Sequence, residues 1–159
     1  MNIFIDTEIW SLAQKKPIRK KYSDKNEYKI ALDIHMKAKE FIHNAIARNK
    51  VYMSYHQINE LYHVLGFRGS RLPISHVNEL ISTILKAKKI IKVPLSLAHI
   101  VKSIELSTKS GIHIWDFLCV VPIAEYIDRA YSIDKHFQDP IFKELGIHTE
   151  NPLGYWMEI

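Results

Sequence analysis

Four carboxylates stand where a fold could bring them together: Asp6, Glu60, Asp116 and Asp134. Asp6 directly follows the apolar run Asn2-Ile3-Phe4-Ile5, and Asp134 directly follows Arg129-Ala130-Tyr131-Ser132-Ile133, two segments with the composition of strands. Glu60 and Asp116 fall near the starts of predicted helices, Glu60 shortly after the strand-like Val51-Tyr52-Met53-Ser54. A short apolar run without strict alternation suits a strand buried on both faces, as in a parallel sheet. In such a sheet, strand ends and the helix starts that follow them share one edge, and ligands bind there. The four acids can therefore converge without being neighbours in sequence. Gathering carboxylates raises their pKa values and costs free energy, which a divalent cation offsets. Hard oxygen donors with open positions suit Mg²⁺ or Mn²⁺. Each acid also has a plainer reading: Asp6, Asp116 and Asp134 as helix caps, and Glu60 as a surface residue.

The elements that must position these acids alternate along the chain. After the first strand, Glu8 to Ala13 suits a short helix. Asp24 with Glu27 forms a capping-box pattern, and Ile30, Ile34, Ala38, Phe41, Ile42 and Ala45 keep helical spacing to about Arg48. The second strand leads into a helix from about Gln57 to Leu65, with Gly66 as its C′ residue. Ser75 is placed to cap a helix carrying Val77, Leu80, Ile81, Ile84 and Leu85 on one face. Ile90-Ile91-Lys92-Val93 reads as a third strand stopped by Pro94. Ser96 caps a helix with Leu97, Ile100, Val101 and Ile104 inward, ending near Gly111. The next helix starts about Trp115 and runs to about Ile127, kinked or broken by Pro122. Asp139-Pro140 opens a short helix closed by Gly146, and Ile147-His148-Thr149 suits a fifth strand. Strands alternating with helices predict an α/β fold with a mainly parallel sheet.

The chain has 159 residues, 47% of them hydrophobic and 25% charged, which predicts one globular domain over 1–159 and argues against disorder. Its net charge of +5 favours an anionic partner, nucleic acid first among them. Lys15, Lys16, Arg19, Lys20 and Lys21 form a basic stretch without hydrophobic period, read as an exposed loop that contacts phosphates or is simply solvated. Arg68 and Arg71 lie in a second loop and join the same candidate set. The single Cys119 excludes an internal disulfide and a multi-cysteine zinc site. No apolar stretch is long enough to span a bilayer, and the start has no signal-peptide pattern, so the expected compartment is the cytoplasm. His56, His63, His113 and His136, taken singly, read as polar surface or satisfied groups. Trp115, Tyr155 and Trp156 could stack bases, but core or subunit packing is the simpler role.

Taken in order, the motifs resemble the PIN-domain nucleases, a family that includes the VapC-type toxins. The likeness rests on Ile5-Asp6-Thr7, on Ile58-Asn59-Glu60-Leu61-Tyr62 and on Trp115-Asp116-Phe117. It continues through Ser132-Ile133-Asp134-Lys135-His136-Phe137, a hydroxyl-x-Asp-x-x-Phe pattern, and Asn151-Pro152. The resemblance covers essentially the whole chain. It implies a central, mainly parallel five-stranded sheet with helices on both faces. It also implies a metal-dependent endoribonuclease that cleaves single-stranded RNA, with Asp6, Glu60, Asp116 and Asp134 holding Mg²⁺ or Mn²⁺. Thr7 and Ser132 take the hydroxyl positions beside the metal. The toxin of a toxin–antitoxin pair, with an antitoxin partner and a homodimeric state, is the expected member type. The alternatives are a housekeeping RNA-maturation nuclease and a non-cutting RNA- or protein-binding module; the four acids argue against the latter. Glu8 departs from the small polar residue common at its position, and the 14–50 segment is long for a minimal toxin.

Overall fold

In the computed structural model, which describes residues 1–158, β1 (Asn2–Ile5) is the middle strand of a five-stranded sheet. Its neighbours are β2 (Lys50–Ser54) and β4 (Arg129–Tyr131), with β3 (Ile90–Val93) and β5 (Thr149–Glu150) at the edges, in the order β3-β2-β1-β4-β5. All four pairings are parallel; Ile3 sits opposite Val51 on one side and Arg129 on the other. The sheet is thus wholly parallel, with no antiparallel strand among the described residues. Ile3, Phe4 and Ile5 are each fully buried, because the two faces of β1 meet different layers. Ile3 and Ile5 join a cluster with Trp10, Ile42, Met53 and Leu65, whereas Phe4 joins Phe117, Ile123, Phe137 and Phe142.

Seven α-helices lie along the chain among the described residues. On the first face pack α1 (Thr7–Gln14), α2 (Lys25–Arg48), α3 (Tyr55–Phe67) and α4 (Ile74–Lys86). On the second pack α5 (Leu97–Ser110), α6 (Ile114–Val120) and α7 (Pro140–Glu144). Strand order reverses direction at β1: the chain steps outward to β2 and β3, then returns to place β4 on the other side. Beyond the carboxyl ends of β1 and β4 lies the crevice that such a reversal opens. The C-terminal segment closes one flank, with Met157 N–H donating to Ile133 O (2.7 Å) and Lys135 N–H to Met157 O (3.3 Å).

Several local expectations need correction. Leu97, Val101 and Ile104 are 76%, 59% and 51% exposed rather than inward. α5 turns Ser103 and Leu106 to the core instead; the Ser103 hydroxyl donates to His99 O, so its burial leaves no unmet group. Ile30 on α2 is exposed as well. Gly66 lies inside α3, which runs on to Phe67, and a Cβ there would lie 3.0 Å from Ile74 Cδ1 on α4. α4 starts at Ile74 with no side-chain cap from Ser75. α6 stops at Val120 and passes into a 3₁₀ turn, Val121–Ile123, around Pro122, well short of Ile127. Asp24 caps α2 through the Asn26 N–H, and Asp139 caps α7 through the Ile141 N–H.

Candidate active site

The four acids reach the C-terminal edge of the sheet by four separate routes. Asp6 follows β1 and caps α1, accepting from the Thr7 N–H (2.8 Å). Asp134 lies three residues past β4 and caps a 3₁₀ turn, Lys135–Gln138, through the His136 N–H (2.8 Å). Asp116 sits in the first turn of α6, and Glu60 lies in α3. All four line one cavity of about 670 Å³, together with Glu8, His56, Asn59, His63, Arg68, His113 and Trp115.

Ser132 ties two of the acids together. Its hydroxyl donates to Asp6 Oδ2 (2.6 Å) and accepts from the Asp134 N–H (3.0 Å), all of it buried. This is a preorganised link between the end of β1 and the end of β4. Thr7 is 1% exposed, and its hydroxyl faces Glu60.

The electrostatics are uneven. Burial raises the Asp6 carboxyl from 3.8 to about 7, against the Ser132 hydrogen bond and with help from the charges of Glu60 and Asp134. Burial, followed by the charges of Asp6, Asp134 and Glu60, raises Asp116 to about 9. Glu8 is likewise raised, first by burial, with Arg68 opposing. Burial also pushes on Glu60, but contacts with His56, the Cys119 thiol and Thr7 more than offset it and leave Glu60 lowered. The Cys119 thiol donates to Glu60 Oε2 (3.4 Å) and is itself held protonated by burial. The cluster therefore holds protons that an aqueous carboxylate would release, and a cation would take their place. The carboxylate oxygens, with the Thr7 hydroxyl beside them, fit a hard divalent ion.

Comparison with known proteins decides what this scaffold is. No protein-family model matches the chain, and no curated protein matches it in sequence. Solved structures do match. VapC20 of Mycobacterium tuberculosis, a sarcin–ricin loop cleaving toxin, superposes with a TM-score of 0.62 at 16% identity, over 86% of this chain and 92% of that one. The chain has the PIN-domain fold. FitAcB of Neisseria gonorrhoeae matches this PIN fold over 96% of the present chain and 99% of its own, at 13% identity and a TM-score of 0.54. FitAB bound to the IR36 DNA fragment matches over 99% of both chains, at 12% identity and a TM-score of 0.51.

Within this PIN fold the basic candidates divide. Arg68 lines the acidic cavity. Lys15, Lys16 and Lys21 line a neighbouring depression with His35, Ser70 and Tyr155. Lys15 turns its ammonium inward, donating to Val64 O (2.6 Å) and Arg68 O (2.7 Å). Lys20 and Arg71 are exposed, and Arg19 stands over the Tyr28 ring. Sequence reasoning passed over two histidines that contact these acids. His113 Nε2 lies 3.5 Å from Asp116 Oδ2, and His136 Nδ1 lies 3.2 Å from the same oxygen. The signal was present in the spacing: His113 precedes Asp116 by three residues at a helix start, and His136 follows Asp134 by two. Trp115, expected in core or subunit packing, is not in the core: it is 56% exposed and stacks on His56 at the cavity rim. Among the described residues no helix is long and apolar enough to cross a membrane.

Proposed function

We propose that this protein is a divalent-metal-dependent endoribonuclease that cuts single-stranded RNA, and that it is the toxin of a toxin–antitoxin pair. The observation that carries the reading is the delivery of Asp6, Glu60, Asp116 and Asp134 into one cavity by four elements remote in sequence. Asp6, Asp116, Asp134 and Glu60 would hold Mg²⁺ or Mn²⁺ directly or through water. Such an ion, when bound, lowers the pKa of a water and neutralises charge on a phosphodiester. Ser132 fixes the Asp6 oxygen and the Asp134 backbone, so both acids keep their places without reorganising. The buried Thr7 hydroxyl, facing Glu60, would orient that carboxylate or a water beside it. Arg68 is placed to meet a phosphate, and the exposed Trp115 ring offers a face for an unpaired base. Lys16, Arg19, Lys20, Lys21 and Arg71 would extend the electrostatic attraction for the strand.

VapC20 cleaves the sarcin–ricin loop, so that loop is the first substrate to assay beside unstructured strands. The toxin reading makes an antitoxin the expected protein partner, and the cytoplasm the expected compartment. A homodimer belongs to the same reading; its support is the apolar row Leu97, Val101 and Ile104 left open on α5, and light scattering tests it. Cleavage should vanish with chelator, return with Mg²⁺ or Mn²⁺, and be absent in Asp134→Asn that retains its circular dichroism. Cleavage by Asp134→Asn and Asp116→Asn at wild-type rate sinks the assignment. Metal-dependent binding without cleavage of any strand would leave a binding module instead.

A further inference from the structure

We propose that His113 and His136 join Asp116 and Asp134 in a mixed nitrogen–oxygen metal site that prefers Mn²⁺, Co²⁺ or Zn²⁺ to Mg²⁺. The inference rests on the metal-site reading above and adds the donors that decide which ion is taken. One ligand atom from each of the four residues lies within 4.8 Å of all the others. His113 Nε2 and His136 Nδ1 approach the same atom, Asp116 Oδ2, at 3.5 and 3.2 Å, and His136 Nδ1 is also 3.5 Å from Asp134 Oδ1. A single hydrogen bond accounts for one imidazole on a carboxylate oxygen. Two imidazoles converging on one oxygen, with a second carboxylate beside them, is the arrangement of a coordination polyhedron. With bonds of about 2.1 Å the edge of a tetrahedral site is about 3.4 Å, close to the three nitrogen–oxygen spacings of 3.2, 3.5 and 3.5 Å.

The rings are held apart as separate ligands must be, T-shaped with centroids 5.0 Å from one another. They also come from different elements. His113 precedes α6, one turn from Asp116, while His136 lies in the 3₁₀ turn that Asp134 caps. The backbone N–H of His136 donates to Asp134 Oδ1, while its ring Nδ1 lies against Asp116 Oδ2. Imidazole nitrogen is a poor ligand for Mg²⁺, which keeps oxygen donors and water, and a good one for later first-row ions. A second group at the same cavity, His56, Glu60 and Cys119, carries nitrogen and sulfur beside oxygen, with His56 Nε2 3.4 Å from Glu60 Oε2. Both groups shift the site away from the all-oxygen set that suits Mg²⁺.

The test uses the full chain, stripped of metal, and reads binding rather than turnover. Mn²⁺ is titrated alone and against Mg²⁺, and bound Mn²⁺ is inspected by pulsed EPR for coupling to ¹⁴N. The expected result is nitrogen coupling in the wild type, reduced in His113→Asn and in His136→Gln and absent in the double variant. Losing a direct ligand should weaken Mn²⁺ by at least the roughly 10-fold that an outer partner costs, with Mg²⁺ affinity nearly unmoved. Absence of ¹⁴N coupling in wild-type protein overturns the proposal without recourse to any variant. So do equal losses of Mn²⁺ and Mg²⁺ affinity in the histidine variants. If Mn²⁺ binds the wild type, is lost in Asp116→Asn and shows no nitrogen, the histidine assignment fails and the acid site stands. If no cation binds the wild type at all, both fail together.

Discussion

Replacing Asp116 by Asn measures how much electrostatic load the acid cluster carries. The Asp116 side chain is 13% exposed, and burial with the charges of Asp6, Asp134 and Glu60 lifts its pKa from 3.8 to about 9. A carboxyl whose folded pKa is raised binds its proton more tightly in the folded chain than in the unfolded one. The stability it contributes is therefore fully present below the unfolded value of 3.8 and is lost as the pH climbs through the window up to about 9. Inside that window the loss is about 1.4 kcal/mol per pH unit. Asn mimics the protonated acid and has nothing to ionise. From about pH 7 to about pH 9, metal-free wild type should lose about 2 kcal/mol relative to Asp116→Asn. In a domain of this size that corresponds to a divergence of about 4–8 °C in Tm. Thermal unfolding followed by circular dichroism across a pH series, in chelated buffer, gives both curves. Saturating Mn²⁺ should flatten the wild-type curve, because the cation takes the place of the proton, and should leave the variant unmoved. Parallel curves for the two metal-free proteins would refute the claim that these carboxylates repel one another in the fold.

Ser132→Ala should cost about 1–3 kcal/mol of stability, because it strands a buried Asp6 oxygen and the Asp134 N–H; chemical denaturation measures it, and no change would mean the link carries no weight. Lys15→Gln should lower stability by about 1 kcal/mol after solvent screening, while leaving the salt dependence of RNA binding unchanged. Gln at Lys16, Arg19, Lys20 and Lys21 together should leave Tm intact and flatten the log–log salt slope of RNA binding by about 0.7 for each phosphate no longer neutralised. A slope equal to wild type would assign the basic balance to solubility. Trp115→Ala should weaken single-strand binding by about 1–3 kcal/mol with no loss of fold, read by fluorescence anisotropy; unchanged affinity would take the ring out of the interface.

The parallel sheet and its acids were legible because each signal was local. Ile3-Phe4-Ile5 is too short and too uniformly apolar for anything but a strand covered on both faces, and the carboxylate that ends it has to lie at the sheet's edge. What escaped was decided by partners distant in sequence. The stripe Leu97, Val101 and Ile104 has perfect helical period, yet period does not say which side of a helix meets the core. Leu106 alone reaches the cluster around Phe4 and Phe117, and that sets the rotation of α5. Gly66 resembles a helix stop until Ile74 is seen pressed against the place where its Cβ would be. The histidines were individually ambiguous, since a single imidazole signals nothing until a second is found on the same carboxylate oxygen.

The bond from Ser132 to Asp6 spans 126 residues, and it has a bearing on synthesis. Chains leave the ribosome at about 5–20 residues per second, so roughly 6–25 s pass between the emergence of these two partners. Until then β1 lacks its β4 neighbour, and pairing across so long a loop is slow to form even when both strands are present. Asp6 and Glu60 emerge early but have no Asp116 or Asp134 to meet. No nascent fragment short of residue 134 can gather the four acids. Any chemistry that needs all four is thus withheld until both halves of the sheet have been made.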